Sequence, residues 1–253
     1  MPEPHHKLRV SGERGALKLE ADLAFAAPWT VIFGPSGSGK SSLLRAICGL
    51  LPKAEVAFSR HENGSWTDLH RVPTSRRALA YAPQGATVFP HMSVAQNIAF
   101  AAQSTKGARR DDPATQAALT AATDLFAMTP LLARPPRSLS GGERQGVSLA
   151  RAFAVPHAKL MLLDEPFNGI DHTMRSVLLP RMVAALAKRN IPAISVTHDV
   201  EEALMLNAWV IRIDGGKVLA QGPAKEVLAP ERERMLRVLH AHLPEPLLRP
   251  SNT

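Results

Sequence analysis

Residues 34–41, GPSGSGKS, place two obligatory glycines, a lysine and a serine at the spacing of a phosphate-gripping loop. Glycines let backbone N–H groups turn inward around phosphate oxygens, and a helix opening at the end of the loop adds positive potential. Lys40 is the residue to reach the β/γ-phosphates, and the Ser41 hydroxyl is the residue to ligate Mg2+. Gly34, Pro35, Ser36, Gly37, Ser38, Gly39, Lys40, Ser41 and Ser42 are therefore the candidate nucleotide-binding set on this side. A second constellation follows 119 residues later or more: the apolar run 160–163 ends in Asp164-Glu165-Pro166. Two adjacent carboxylates closing a buried strand are costly unless they meet a metal or a reacting water. Asp164 suits the metal, and Glu165 suits polarisation of an attacking water. A glycine-rich turn and a solvated strand end would each account for one motif alone; their coexistence in strand-loop-helix context favours phosphate chemistry.

The elements around these motifs must present them at strand ends. Residues 7–10 and 16–20 have β-like character, and 30–33 reads as a short buried strand entering the loop. From Lys40, apolar residues Leu43, Leu44, Ile47, Leu50 and Leu51 recur at helical spacing, which predicts a helix running to Pro52. Residues 53–81, with turn signals at Asn63-Gly64 and Pro73, read as short antiparallel strands. Residues 94–102 and 114–128 read as helices separated by a polar stretch at 107–113, forming an inserted helical subdomain over about 85–137. After Pro135-Pro136, helix 142–155, strand 160–163, helix 174–189, strand 193–196 and helix 200–207 alternate, which argues for a parallel α/β sheet. A hairpin at 210–220 turns on Asp214-Gly215-Gly216, and a helical tail occupies 226–253. The expected fold is α/β, one domain over 1–253, with an antiparallel β-subdomain and a helical subdomain.

Composition narrows the functional classes. The 253 residues are 45% hydrophobic, enough for a sizeable core. Lys and Arg outnumber Asp and Glu by 30 to 22, but the basic residues are dispersed, whereas a nucleic-acid stripe would concentrate them. No nucleic-acid partner is expected. The single cysteine, Cys48, excludes an internal disulfide framework and points to a reducing compartment. There is no basic start followed by an apolar run and no stretch of 18 apolar residues, so the expectation is a cytoplasmic chain that is neither exported nor membrane-spanning.

Residues 139–145, LSGGERQ, resemble the signature motif of ABC ATPases, and Asp164-Glu165 then matches the family's Walker B end. Physically, Ser140 offers a hydroxyl, Gly141 and Gly142 permit close backbone approach, and a helix begins there, making an anion site. The resemblance, over about residues 7–225, implies a P-loop NTPase of ABC type that binds ATP and Mg2+. It implies a head-to-tail homodimer in which Ser140, Gly141, Gly142 and Glu143 face the γ-phosphate held by the partner subunit. It also assigns Gln84 to Mg2+ and the attacking water, His198 to the γ-phosphate and the placement of Glu165, and Asp171 to the opposite subunit. The metal set is thus Ser41, Gln84 and Asp164, and the catalytic set Glu165, His198 and Gln84.

Residues 86–99 resemble the permease-facing segment of importer ATPases, and stretches 27–44 and 65–84 resemble molybdate-importer ATPases. The implied protein is the ATPase of an oxyanion importer, peripheral on the inner face of the cell membrane. Its partners would be integral-membrane permease subunits and, indirectly, a substrate-binding protein. The rivals are ATPases of iron, sulfate or polyamine importers, an exporter ATPase, and a soluble ABC ATPase acting on DNA or ribosomes, which usually carries coiled-coil insertions or tandem units absent here. Three positions depart from the family. No aromatic precedes Phe25 to stack on adenine, Gly146 stands where many relatives have arginine, and Asn168-Gly169-Ile170 replaces a Ser-Ala-Leu-like run. An interior glycine costs a helix roughly 1 kcal/mol relative to alanine.

Overall fold

The structure is a computed structural model that describes residues 4–14, 17–25, 28–104 and 112–242. Ala16, part of the polar stretch 107–113, and tail residues 243–253 lie outside the described residues.

The strands are β1 (His6–Arg14), β2 (Leu17–Phe25), β3 (Trp29–Phe33), β4 (Glu55–Glu62), β5 (Ser65–Asp68), β6 (Leu79–Ala82), β7 (Leu160–Asp164), β8 (Ala193–Thr197), β9 (Trp209–Asp214) and β10 (Lys217–Pro223). The helices are α1 (Lys40–Ile47), α2 (Val94–Ser104), α3 (Pro113–Leu125), α4 (Gly141–Phe153), α5 (His172–Lys188), α6 (Val200–Met205), α7 (Ala224–Val227) and α8 (Ala229–His242). Strand order is β5-β4-β1-β2-β10-β9-β3-β8-β7-β6. The β9-β3-β8-β7-β6 portion is parallel throughout, and β2-β1-β4-β5 is antiparallel. The two portions touch at one parallel pair, Lys217 against Glu20, between β10 and β2.

Strands β3, β7 and β8 are buried along their whole length, the mark of parallel strands covered on both faces. Their alternation divides the core. Val31, Met161, Leu163 and Ala193 face a cluster built with α2, α3, α4 and α5. Ile32, Leu160, Leu162 and Ile194 face a second cluster, in which Leu43, Leu44 and Ile47 of α1 meet Leu8, Leu19, Phe25 and Phe58 of the antiparallel strands. Helix α1 is therefore clamped between two sheet portions, which fixes the loop at its N-terminus.

Two expectations are corrected. Helix α1 ends at Ile47, not at Pro52, because Gly49 takes φ +68° and closes the helix with Gly49 N–H donating to Ala46 O and Leu50 N–H to Arg45 O. Leu50, counted in the helical apolar pattern, is 57% exposed. Residues 53–81 are not all antiparallel: β4 and β5 are, but β6 crosses to the far edge and runs parallel to β7. Ala80 and Ala82 belong to the helix-side core, so β6, at the sheet edge, buries one face while Leu79 and Tyr81 on the other are half-buried, unlike β7 and β8. No helix among the described residues is long and apolar enough to cross a membrane. Cys48 is buried, and burial pushes its thiol up to about 12, leaving it protonated and unreactive.

Candidate active site

The loop between β3 and α1 is anchored before it meets any ligand. A side chain at Gly34 would bring its Cβ within 2.2 Å of Ile213 O, so only glycine lets the loop leave β3 against β9. Ser38 O accepts from Gly216 N–H at 3.0 Å, tying the loop to the β9–β10 turn. Gly39, at φ +102°, stands at the N-cap of α1 with no side-chain cap bond. The N-terminal end of α1 is therefore not closed by a capping side chain, which suits an external anion. Lys40 is 5% exposed, and its Nζ donates to Gly34 O and Pro35 O, both at 2.8 Å. Burial pulls its pKa below the ordinary lysine value, opposed by the Glu165 and Asp164 carboxylates.

Across the loop, the end of β7 delivers two carboxylates in different states. Asp164 is 1% exposed; its Oδ1 accepts from Ser41 Oγ at 2.9 Å, while Oδ2 has no partner among the described residues. Burial holds its carboxyl above the usual range, with the Ser41 hydrogen bond opposing that shift. A buried carboxylate with one bare oxygen beside a serine hydroxyl is a hard-oxygen donor pair of the kind Mg2+ takes together with nucleotide phosphates. Glu165 turns at φ +49°, uncommon for a residue with a side chain, while its N–H donates to Val196 O at 3.0 Å. The turn aims its carboxylate back over the loop. Its Oε2 accepts from Gln84 Nε2 at 2.9 Å and from Asn168 Nδ2 at 3.3 Å, and its Oε1 stands 3.5 Å from His198 Nδ1.

One cleft of about 380 Å³ gathers Ser36, Gly37, Gly39, Lys40, Ser41, Ser42, Gln84 and Glu165, joined by Leu17 and Arg45. The structure thus brings together most of the expected loop residues with Gln84 and the β7 carboxylates, and sets His198 against Glu165. It does not bring in Ser140, Gly141, Gly142 or Glu143. Those residues open α4 elsewhere, where Ser140 N–H donates to Glu143 Oε2 at 2.6 Å and Glu143 N–H to Ser140 Oγ at 3.2 Å, a reciprocal cap. The Ser140 N–H, and after it the Ser140 hydroxyl, hold the Glu143 carboxyl below its ordinary pKa. Asp171 caps α5, accepting from Met174 N–H at 2.9 Å.

Three contributors escaped the sequence reading. Arg45 lies four residues after Ser41, a spacing that puts both on one helix face, so the signal was present. Leu17 is the last β2 residue paired with β1, opposite Arg14, and nothing in its type marks it as lining a cleft. Asn168 was noted only as a departure; its amide reaches Glu165. Gly146 also gains a reason: a Cβ there would sit 2.9 Å from Met128 Cε, so its absence lets Met128 pack on α4. The segment after Gln84 is braced to the same helix, since Arg151 Nη2 donates to Thr87 O at 2.6 Å and its guanidinium lies 5.0 Å from the Phe89 ring centroid.

Known proteins resemble this chain in sequence and fold. The family pattern described as "ABC transporter" matches residues 24–168. The chain is 39% identical over 215 residues to the molybdenum import ATP-binding protein ModC of Pseudomonas syringae pv. tomato, covering 83% of this chain and 58% of that protein. It is 32% identical over 237 residues to the molybdate/tungstate import ATP-binding protein WtpC of Archaeoglobus fulgidus, covering 93% of this chain and 94% of that protein. The chain spans a little over half the length of the ModC relatives it matches. A solved structure titled as the ATP binding subunit of an ABC transporter superposes with TM-score 0.74 at 26% identity, covering 94% of this chain and 98% of that one. The fold is therefore that of a P-loop ABC ATPase, and the chain belongs to the ABC transporter family.

Proposed function

We propose that this chain binds ATP with Mg2+ and hydrolyses it as the motor subunit of a membrane importer for an oxyanion, molybdate first. The observation that carries the hydrolytic reading is the environment of Glu165. Its carboxylate is held over the phosphate loop by Gln84 and Asn168 on one oxygen and faces His198 with the other. A carboxylate so fixed can accept a proton from a water attacking the γ-phosphate, while Lys40 exchanges its loop carbonyls for phosphate oxygens. Ser41, Asp164 and Gln84 would hold Mg2+, whose charge offsets that of the phosphates. His198 orients Glu165 and reaches the γ-phosphate.

The N-terminus of α4 is the second half of the reading. Ser140 to Glu143 form a ready anion site that lines a different cavity from the phosphate loop. A head-to-tail homodimer would set each α4 against the nucleotide of the other subunit and enclose two ATP molecules. Residues 1–253 then form one ATPase domain, with about 85–137, which carry α2 and α3, as its helical subdomain and the segment 226–253 as a tail. Residues 86–99, braced through Arg151, would receive the permease, placing the protein on the inner face of the membrane with a substrate-binding protein reached indirectly. Molybdate is put first because the relatives that match are named for import of molybdenum or of molybdate and tungstate.

The test is deletion of the gene with uptake assays. Molybdenum-dependent activity should fall and recover in excess molybdate. A defect confined to sulfate, iron or polyamine uptake would replace the substrate, and a defect only in secretion would reject import.

A further inference from the structure

The Glu165 backbone sits at φ +49°, so its side chain leaves the strand from a constrained turn and its final direction depends on what holds the carboxylate. Two amides share Oε2, and they come from different places. Gln84 Nε2, at 2.9 Å, stands on the loop after β6, which continues into the segment braced to α4. Asn168 Nδ2, at 3.3 Å, belongs to the same turn as Glu165, and its own N–H donates to Glu165 O at 3.2 Å. Asn168 is therefore fixed within the turn that carries the carboxylate, whereas Gln84 reaches it from a separate loop. The more usual serine at this position ends one bond shorter than the asparagine amide.

We propose that Asn168 is a positioning residue that keeps Glu165 Oε2 fixed when Gln84 is elsewhere, leaving Oε1, beside His198, for the attacking water. This rests on the hydrolytic role of Glu165 proposed above. An amide N–H can only donate, so the bond pins one carboxylate oxygen and does not compete for a proton. The titratable neighbours of Glu165, namely Asp164, Lys40 from α1, His198 after β8 and Glu202 from α6, are untouched by a change at 168. Asn168 is exposed, so substitution there leaves the core intact.

The test is steady-state ATP hydrolysis by the full chain carrying Asn168→Ala, Asn168→Asp, Asn168→Ser, Gln84→Ala and the Gln84→Ala/Asn168→Ala pair, with Glu165→Gln as reference. Asn168→Ala should lower kcat about three- to tenfold with KM for ATP within about twofold, because an interaction felt at the reacting groups is lost and ground-state binding is not. Asn168→Asp keeps the size and turn preference but cannot donate and repels the carboxylate, so it should be slower than the alanine variant. Asn168→Ser, which keeps a donor, should recover part of the rate. In the Gln84→Ala background the same Asn168→Ala change should cost more than in the parent, since the last amide on Oε2 is then gone. Parental kcat in both Asn168→Ala and Asn168→Asp, with Glu165→Gln inactive, overturns the proposal while leaving the hydrolytic reading standing. A loss of rate of equal size in both backgrounds, with ATP cooperativity abolished, also overturns it and moves the role of Asn168 to a contact between subunits. An active Glu165→Gln removes the hydrolytic reading and this proposal with it.

Discussion

The phosphate loop and the start of α4 are both helix N-termini suited to anions, yet the chain treats them oppositely. At the loop, Lys40 is held by the Gly34 and Pro35 carbonyls, Ser41 is bonded to Asp164, and Gly34 is pressed against β9. The first turn of α1 carries no side-chain cap. At α4 two donors, Ser140 N–H and Glu143 N–H, are already satisfied by the reciprocal bonds of Ser140 and Glu143, on the protein surface. A helix whose cap is supplied by its own side chains is stable without a ligand; one capped by glycine waits for an acceptor. The first end is built to hold a phosphate tightly within one chain, and the second to keep its shape until something is brought to it. On the dimeric reading, that something is the nucleotide of the other subunit.

The largest test of this contrast is Glu165→Gln. It removes the water-polarising carboxylate and leaves the loop untouched, so turnover should fall by about 10²–10⁴-fold while nucleotide binding persists. Phosphate release and a nucleotide-binding titration measure the two separately. ATP should then hold the variant as a dimer in size-exclusion chromatography, and near-parental turnover would remove Glu165 from the chemistry.

Ser140→Ala probes the other end. The α4 cap loses its hydroxyl, at a cost of about 0.5–2 kcal/mol in helix stability, and turnover should fall about tenfold or more. ATP binding by the dilute, monomeric chain should stay within about twofold of the parent. Equal loss of binding and turnover would mean that both ends serve one nucleotide within one chain, contrary to the contrast drawn above.

Leu17 sharpens the comparison on the loop side. It lines the cleft beside the phosphate loop, and no aromatic precedes Phe25, so on the nucleotide-binding reading ATP and GTP should be hydrolysed with similar efficiency. Replacing it by tyrosine should tighten ATP binding by about tenfold, within the ~1–3 kcal/mol of a base–aromatic stack. A parental chain that strongly prefers ATP would show that another side chain reads the base.

How much of this was legible in the sequence follows the same division. Residues 34–41 and 160–165 could be placed because their chemistry is local: a strand, a glycine turn and a helix in sequence order. The parallel alternation after Pro136 was legible for the same reason. The position of β6 was not, since residues 79–82 carry no mark that says which of two sheet portions they join, and only the long-range pairing with β7 decides it. The end of α1 was missed because apolar spacing at Leu50 and Leu51 outweighed Gly49, whose left-handed backbone ends the helix. Gln84 and His198 were assigned by resemblance, not by physics, and their convergence on Glu165 is a property of the folded sheet. Asn168 carried a signal of type but none of direction.

The smallest expected effect tests whether the buried side of the contrast also responds to pH. Glu202, 3% exposed on α6, accepts from Thr197 Oγ1 at 2.9 Å, just before His198, while its second oxygen has no partner. Burial pushes its carboxyl up to about 8, against the opposing Thr197 hydrogen bond. Because the folded chain holds this proton more tightly than the unfolded chain, the stabilisation is fully present below the ordinary value of 4.5 and is lost as pH rises towards about 8. Glu202→Gln keeps the shape and an acceptor for Thr197 but cannot ionise. Its melting temperature should match the parent near pH 5 and exceed it by a few degrees at pH 8.5, at about 2–4 °C per kcal/mol for a chain of this size. Parallel melting curves for the two proteins from pH 5 to 8.5 would show that Glu202 does not hold its proton when folded, and that the support beneath His198 is insensitive to pH.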